Sequence, residues 1–304
     1  MMKYTDFNIN EHGFVGHMAE PEAKTKQAVI VIMGGEKSIL PGIKIAERFA
    51  EYGICGLAVS LFGSEGLPQD VDRIPLDMFE KAVQYLHEVK GMESVSTYGM
   101  SMGSLFAALV AKYIDRIDNV IMVSPSHVPF EGSADKKNMT GHSMMTWRGK
   151  EIPFVKLDFA AQKAGKYFYD ERAGRKVTGM WISYRDAYQN KEAERQADIH
   201  IEELNARILL IAGTGDEAWP SDYSVNYMKQ RLDESGYPKD YEAVIYPNAS
   251  HLLGMMPGKA KNKWLYRMIP LIGMMYKSIN LHREDCMKAL EDSEKKIIEW
   301  IRMV

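Results

Sequence analysis

Gly99-Met100-Ser101-Met102-Gly103 places a serine between glycines, with a short apolar run before it and a long apolar run after it. A serine on a tight strand-to-helix turn is pushed out above the sheet edge, and small flanking residues permit that turn. Its hydroxyl can then attack a carbonyl carbon, provided a base takes the proton. Two downstream segments offer the partners. RILLIAG runs straight into Thr214-Gly215-Asp216-Glu217, so Asp216 falls at a strand end, with Glu217 and Asp222 as alternatives further from it. YEAVIYP runs into Asn248-Ala249-Ser250-His251; of the 8 histidines only His251 and His282 follow Asp216, and His282 falls in an expected C-terminal helix. The spacing therefore predicts Ser101 as nucleophile, His251 as general base, and Asp216 as the carboxylate that fixes the imidazole tautomer. A tetrahedral oxyanion needs two N–H donors: Met102 supplies one, and Gly35 in the Gly34-Gly35-Glu36 loop is the expected second. The alternative is that Gly35 is an ordinary loop glycine.

These residues need a scaffold that brings several strand ends to one edge. QAVIVIM (27–33) is a continuous β-branched run, as expected of a strand buried on both faces. Pro41 opens a helical pattern closed by Gly53, and 54–61 reads as the next strand. Pro75 is expected to start a second helix that Gly91 stops; 94–98 reads as strand, 101–114 as helix and 120–123 as strand. Later come a strand at 207–212, a helix near 222–232 and a strand at 241–246. Strands alternating with helices mean right-handed βαβ units and a parallel sheet covered on both faces. With the order serine, acid, histidine, the expected fold class is α/β, an α/β-hydrolase: a doubly wound, mostly parallel sheet with an inserted cap segment.

One segment breaks the rhythm. Residues 124–183 are rich in Met, Lys, Gly and aromatics without a clean period, and 126–183 is expected to form a cap or lid. The alternative is a plain structural insertion. The charge-rich stretch 184–204 reads as helix with a solvated charged face.

The 304 residues, 46% hydrophobic and 26% charged, suit a single globular domain over 1–304 that carries the insertion. A formal net charge of -3 gives no global attraction for nucleic acid or anionic lipid, so neither is an expected partner. Cys55 and Cys286 lack disulfide-framework or metal-ligand spacing; no metal or cofactor is expected, and a cytoplasmic location is. No apolar stretch reaches the roughly 18–20 residues of a membrane span. The oligomeric state is not legible.

The chain resembles the catalytic domain shared by the acyl-coenzyme A thioesterases and the bile acid-CoA:amino acid N-acyltransferase. The resemblance rests on Gly66-Leu67-Pro68, the segment from Leu76 to Leu86, the serine turn, Gly215-Asp216-Glu217-Ala218-Trp219-Pro220-Ser221, and Tyr246-Pro247 before His251. It covers roughly 27–304. Three departures stand out. About 25 residues occupy the place of an N-terminal immunoglobulin-like domain; Met102 replaces the lysine that often follows the nucleophile; and Gly254-Met255-Met256-Pro257 replaces the acidic and proline residues usual after the histidine.

Serine at the nucleophile is typical of the thioesterases, whereas the conjugating enzyme carries cysteine. The resemblance thus implies a serine hydrolase of acyl thioesters or carboxylic esters, with a small-molecule acyl substrate such as an acyl-CoA. The alternatives are an amino acid N-acyltransferase or a peptidase on the same fold, or a protein that binds an acyl ligand without turning it over. The 21 methionines, Met139, Met144, Met145, Met255 and Met256 among them, suit either an adaptable acyl pocket or ordinary core filling. A basic run at 257–267 offers Lys259, Lys261 and Lys263 as contacts for coenzyme A phosphates; the alternative is a solvated loop.

Overall fold

The computed structural model describes residues 1–134, 138–158, 167–171, 173–256 and 276–303. Eight of the described strands form one sheet: β1 (Lys3–Phe7), β2 (Gly16–Glu20), β3 (Gln27–Ile32), β4 (Cys55–Val59), β5 (Ser94–Met100), β6 (Asn119–Val123), β7 (Arg207–Gly213) and β8 (Tyr241–Tyr246). Their order across the sheet is β1-β2-β4-β3-β5-β6-β7-β8. The pairs β1/β2 and β2/β4 are antiparallel, and every neighbouring pair from β4 to β8 is parallel. This is the doubly wound, mostly parallel sheet of an α/β-hydrolase.

The continuous apolar runs are explained by two cores. Ala28, Ile30 and Ile32 of β3 point to one face with Met122, Leu210 and Phe106; Val29 and Val31 point to the other with Ile121, Leu209 and Phe49. Helices α1 (Leu40–Glu51) and α7 (Arg283–Arg302) cover the second face; α2 (Met78–Gln84), α3 (Met102–Tyr113) and α6 (Ser221–Ser235) cover the first. Each fully buried Val, Ile or Leu contributes roughly 1.5–3 kcal/mol of transfer free energy, so a sheet buried on both faces draws on both sets.

Several local expectations change. Pro75 does not open a helix: Ile74–Pro75 is a short strand beside Met145–Trp147, and α2 begins three residues later, continuing as a π-helical turn over Tyr85–Val89. The segment without a clean period holds short hairpins, Glu131–Ala134 with Asn138–Ser143, and Tyr167–Asp170 with Arg175–Thr178, followed by α4 (Gly179–Ala187). These pieces are too short to print a period on the sequence.

The charged stretch after it is not one helix with a solvated face. Asn190 caps a separate helix, α5 (Lys191–Ala197), and within it Glu194 is only 3% exposed. Its Oε1 accepts from His127 Nε2 at 3.0 Å and from the Tyr223 hydroxyl at 3.1 Å, and its Oε2 accepts from Lys191 Nζ at 2.6 Å. Burial pushes the Glu194 carboxyl up, but hydrogen bonds from His127 and Lys191 outweigh burial and hold it below the ordinary value. On the other side of the ring, Ser224 on α6 lies 3.0 Å from His127 Nδ1. The result is a buried polar clasp between α5, α6 and the segment after β6.

Candidate active site

Met100 ends β5 and Met102 opens α3, so Ser101 alone makes the turn. Its φ of 59° and ψ of -129° lie where a residue with a side chain rarely sits; such strain costs of order 1–3 kcal/mol and persists only where the surroundings over-determine it. The Ser101 N–H donates to Val123 C=O at 2.9 Å, while the Ser104 N–H and hydroxyl donate to Ser101 C=O at 2.9 and 2.6 Å. The flanking glycines are required by contact distance. A Cβ on Gly99 would lie 2.2 Å from Gly103 O, and one on Gly103 would lie 2.1 Å from Ile32 O. α3 can therefore press against the ends of β3 and β5 only if both side chains are absent, and that closeness lifts Ser101 above the sheet, where it stays half-buried.

The loops after β7 and β8 are built as one unit. Thr214 N–H donates to Tyr246 C=O at 3.0 Å, Gly215 N–H to Ala249 C=O at 2.9 Å, and Asn248 N–H to Thr214 Oγ1 at 2.9 Å. Asp216 follows directly and is 0% exposed. Its Oδ1 accepts from the Ala218 and Trp219 N–H groups at 2.9 and 3.3 Å; its Oδ2 accepts from the Ser221 hydroxyl at 2.6 Å and from His251 Nδ1 at 2.8 Å. A carboxylate can only accept, so Nδ1 carries the proton and Nε2 is left as an acceptor. Nε2 lies 2.8 Å from Ser101 Oγ. The structure thus brings Ser101, His251 and Asp216 into one hydrogen-bonded line. Glu217, the nearest alternative acid, is engaged elsewhere: its Oε2 accepts from the N–H and hydroxyl of Ser278 at 3.1 and 3.0 Å. Burial raises the Asp222 carboxyl above its usual range.

The line can move a proton from Ser101 to His251 while the buried carboxylate balances the imidazolium. Residues 74–257, more than half of the chain, match the family described as BAAT / Acyl-CoA thioester hydrolase C terminal. The chain belongs to that family. Among its relatives in the family, human (Homo sapiens) acyl-coenzyme A thioesterase 6 is 23% identical over 213 residues, 68% of this chain and 45% of that protein. The peroxisomal succinyl-coenzyme A thioesterase of Mus musculus is 24% identical over 207 residues, 67% of this chain and 44% of that protein. This family member spans less than half the length of either relative. One of two fungal esterases from Rhizomucor miehei shares its fold with a TM-score of 0.54 at 15% identity, over 91% of this chain and 85% of that one.

Around this line the family member carries side chains that sequence reasoning did not single out. The Trp219 ring meets the His251 ring edge-on at 5.2 Å, and Trp219 Nε1 donates to Ser124 C=O at 3.0 Å. The Ser124 hydroxyl donates to His251 C=O at 2.7 Å. Tyr276 stacks on His251 with ring centroids 5.8 Å apart. Burial pushes the Tyr276 phenol up, and the carboxylates of Asp216, Glu36 and Glu217 add to that. Trp219 and Ser221 were visible within the Asp-Glu-Ala-Trp-Pro-Ser segment, but only as part of a resemblance. Tyr276 left no sequence signal.

At the oxyanion side, Met102 is buried at the first position of α3, where a backbone N–H has no intrahelical acceptor. Gly34 is the loop residue packed on Ser101: a Cβ there would lie 3.1 Å from Ser101 Cβ and 3.3 Å from its Oγ, whereas one on Gly35 would meet nothing within 4 Å. Met144 and Met145 belong to the main core, and Met139 packs against it; Met255 and Met256 belong to the opposite face of the sheet. Core filling accounts for these placements.

Lys259, Lys261 and Lys263 lie outside the described residues. A cavity of about 800 Å³ has Gly215, Glu217, Asn248, Arg175, Trp181 and Asp222 among its lining residues; neither Ser101 nor His251 lines it. Among the described residues, no group of three or more His, Cys, Asp or Glu is placed to hold a metal ion, and no helix is long and apolar enough to cross a membrane.

Proposed function

We propose that this protein hydrolyses acyl thioesters of coenzyme A, or carboxylic esters, through an acyl-serine intermediate. The observation that carries the reading is the unbroken Ser101–His251–Asp216 line, 2.8 Å at each junction. Ser101 Oγ attacks the acyl carbonyl carbon as its proton passes to His251 Nε2. The tetrahedral oxyanion is met by the Met102 N–H and by an N–H of the Gly34-Gly35-Glu36 loop after β3, where Gly35 is the donor expected from the sequence and Gly34 is the residue packed on Ser101. The intermediate collapses as the imidazolium protonates the leaving thiolate or alkoxide. Water then repeats the sequence and releases the carboxylic acid.

The names of the relatives, acyl-CoA thioesterases, favour a thioester substrate. The chemistry of the intermediate favours water over an amine as the acceptor, since an acyl-serine is an ordinary ester whereas the thioester of an acyl-cysteine is well suited to aminolysis. We read residues 126–183 as a cap over this site. Arg175 donates to Asp216 C=O, and the Thr178 hydroxyl donates to Glu217 C=O at 2.6 Å, so residues 175–178 of the segment rest directly on the loop that carries Asp216.

The test is a panel of acyl-CoA thioesters and p-nitrophenyl esters of increasing chain length, run with and without added glycine, beside labelling by a fluorophosphonate. Thioester hydrolysis with a single label on the peptide containing Ser101 is the expected result. An acyl-glycine as the main product would move the protein to amine transfer. Folded protein that takes no label and turns over nothing would make it a binding module.

A further inference from the structure

We infer that Ser221 is a positioning residue of this site: its hydroxyl locks the Asp216 carboxylate onto His251 and thereby sets how readily the histidine accepts the Ser101 proton. The inference rests on the hydrolase reading and goes beyond it to a fourth side chain.

The Ser221 hydroxyl is 2.6 Å from Asp216 Oδ2, the same oxygen that accepts from His251 Nδ1 at 2.8 Å. Both residues are 0% exposed, so bulk solvent does not reach the contact. The proton direction follows from chemistry, because an ionised carboxylate only accepts and the hydroxyl must donate. With Ala218 and Trp219 N–H on Oδ1, four donors occupy the roughly four lone-pair directions of the carboxylate. A carboxylate filled in this way cannot rotate about its Cβ–Cγ bond without losing a charge-assisted hydrogen bond.

The ordinary role for a serine at this position is a different one. A Ser at a helix start usually turns its oxygen onto the backbone N–H groups of the first turn. Here Pro220 holds the cap position with φ -78° and ψ 72°, the helix start carries no side-chain cap bond, and the Ser221 N–H already donates to Trp219 C=O at 2.9 Å. The hydroxyl is thus released from capping and turned back onto the acid.

The consequence is electrostatic as well as steric. A donor on the shared oxygen draws negative charge away from the imidazole and keeps the proton on His251 rather than on Asp216 when the imidazolium forms. Removing the hydroxyl makes the carboxylate a stronger hold on protonated histidine. The acid limb of the kcat/KM profile then moves to higher pH, and kcat falls as the carboxylate gains freedom.

The test compares Ser221→Ala, Ser221→Thr, Ser224→Ala and Ser101→Ala. Ser224 is the control: it sits on the same helix, is equally buried and bonds to His127 instead of Asp216. Ser221→Ala is expected to lower kcat about 10- to 100-fold with KM within about twofold, and to shift the acid limb upward. Ser221→Thr restores most of both, and Ser224→Ala loses thermal stability without moving the limb. A wild-type kcat and limb in Ser221→Ala, or a change no larger than that of Ser224→Ala, would overturn the assignment of Ser221 alone. Full activity in Ser101→Ala would overturn the hydrolase reading and this assignment with it.

Discussion

A serine hydroxyl holds its proton too tightly at neutral pH to attack a carbonyl unaided, so the proposed chemistry depends on which nitrogen of His251 is free. Asp216 decides that by accepting from Nδ1. An asparagine in its place can donate an amide N–H to Nδ1, which moves the ring proton to Nε2, where it faces Ser101 and blocks transfer. Asp216→Asn is therefore expected to lower kcat by about 10⁴-fold with an unchanged circular dichroism spectrum. An undiminished rate would send the acid role to Glu217 or Asp222. The meeting of Ser101, His251 and Asp216 was legible in the sequence because each falls on the turn or loop that ends a strand. Ser221 was not legible as a ligand of the acid, because a Ser after Pro at a helix start looks like a cap.

At the level of elements, the serine turn depends on close approach. Gly103→Ala would drive a Cβ to 2.1 Å from Ile32 O, backbone against side chain with no flexible end to yield, so α3 and β3 must separate. We expect a stability loss of about 1–3 kcal/mol, read as a lowered urea midpoint at unchanged slope, together with loss of turnover as Ser101 shifts from His251. Wild-type stability would mean that the approach is looser than the structure places it. The central strands were readable because burial on both faces writes an unbroken apolar run, as in QAVIVI. The β1 strand was not: it is an outer strand in which only Phe7 is buried, and KYTDF carries neither a run nor an alternation. The Ile74–Pro75 strand is two residues long and exists only through its pairing with Met145–Trp147, a partner far along the chain.

Over the whole molecule, the segment inserted after β6 returns to the body through the His127–Glu194–Ser224 clasp. His127→Ala removes a buried ring that bonds at both nitrogens, and is expected to cost about 2–4 kcal/mol, measured by denaturant unfolding. A change under about half a kcal/mol would mean that the clasp holds nothing. The Glu194 part of its pH dependence has a fixed sign. The Glu194 carboxyl sits below its usual 4.5 in the folded chain, so its contribution is fully present above that pH and fades as acidification reaches the lowered value. The charge pattern of the α5 region gave the opposite impression, because solvated and buried glutamates look alike in a sequence. The order of the site along the chain also divides it in time: 150 residues separate Ser101 from His251, and 35 separate Asp216 from His251. At a synthesis rate of 5–20 residues per second, the proposed nucleophile is made roughly 8–30 s before its proposed base. Through that interval a nascent chain presents an unreactive serine, so any chemistry at this site begins only after the ribosome has passed residue 251.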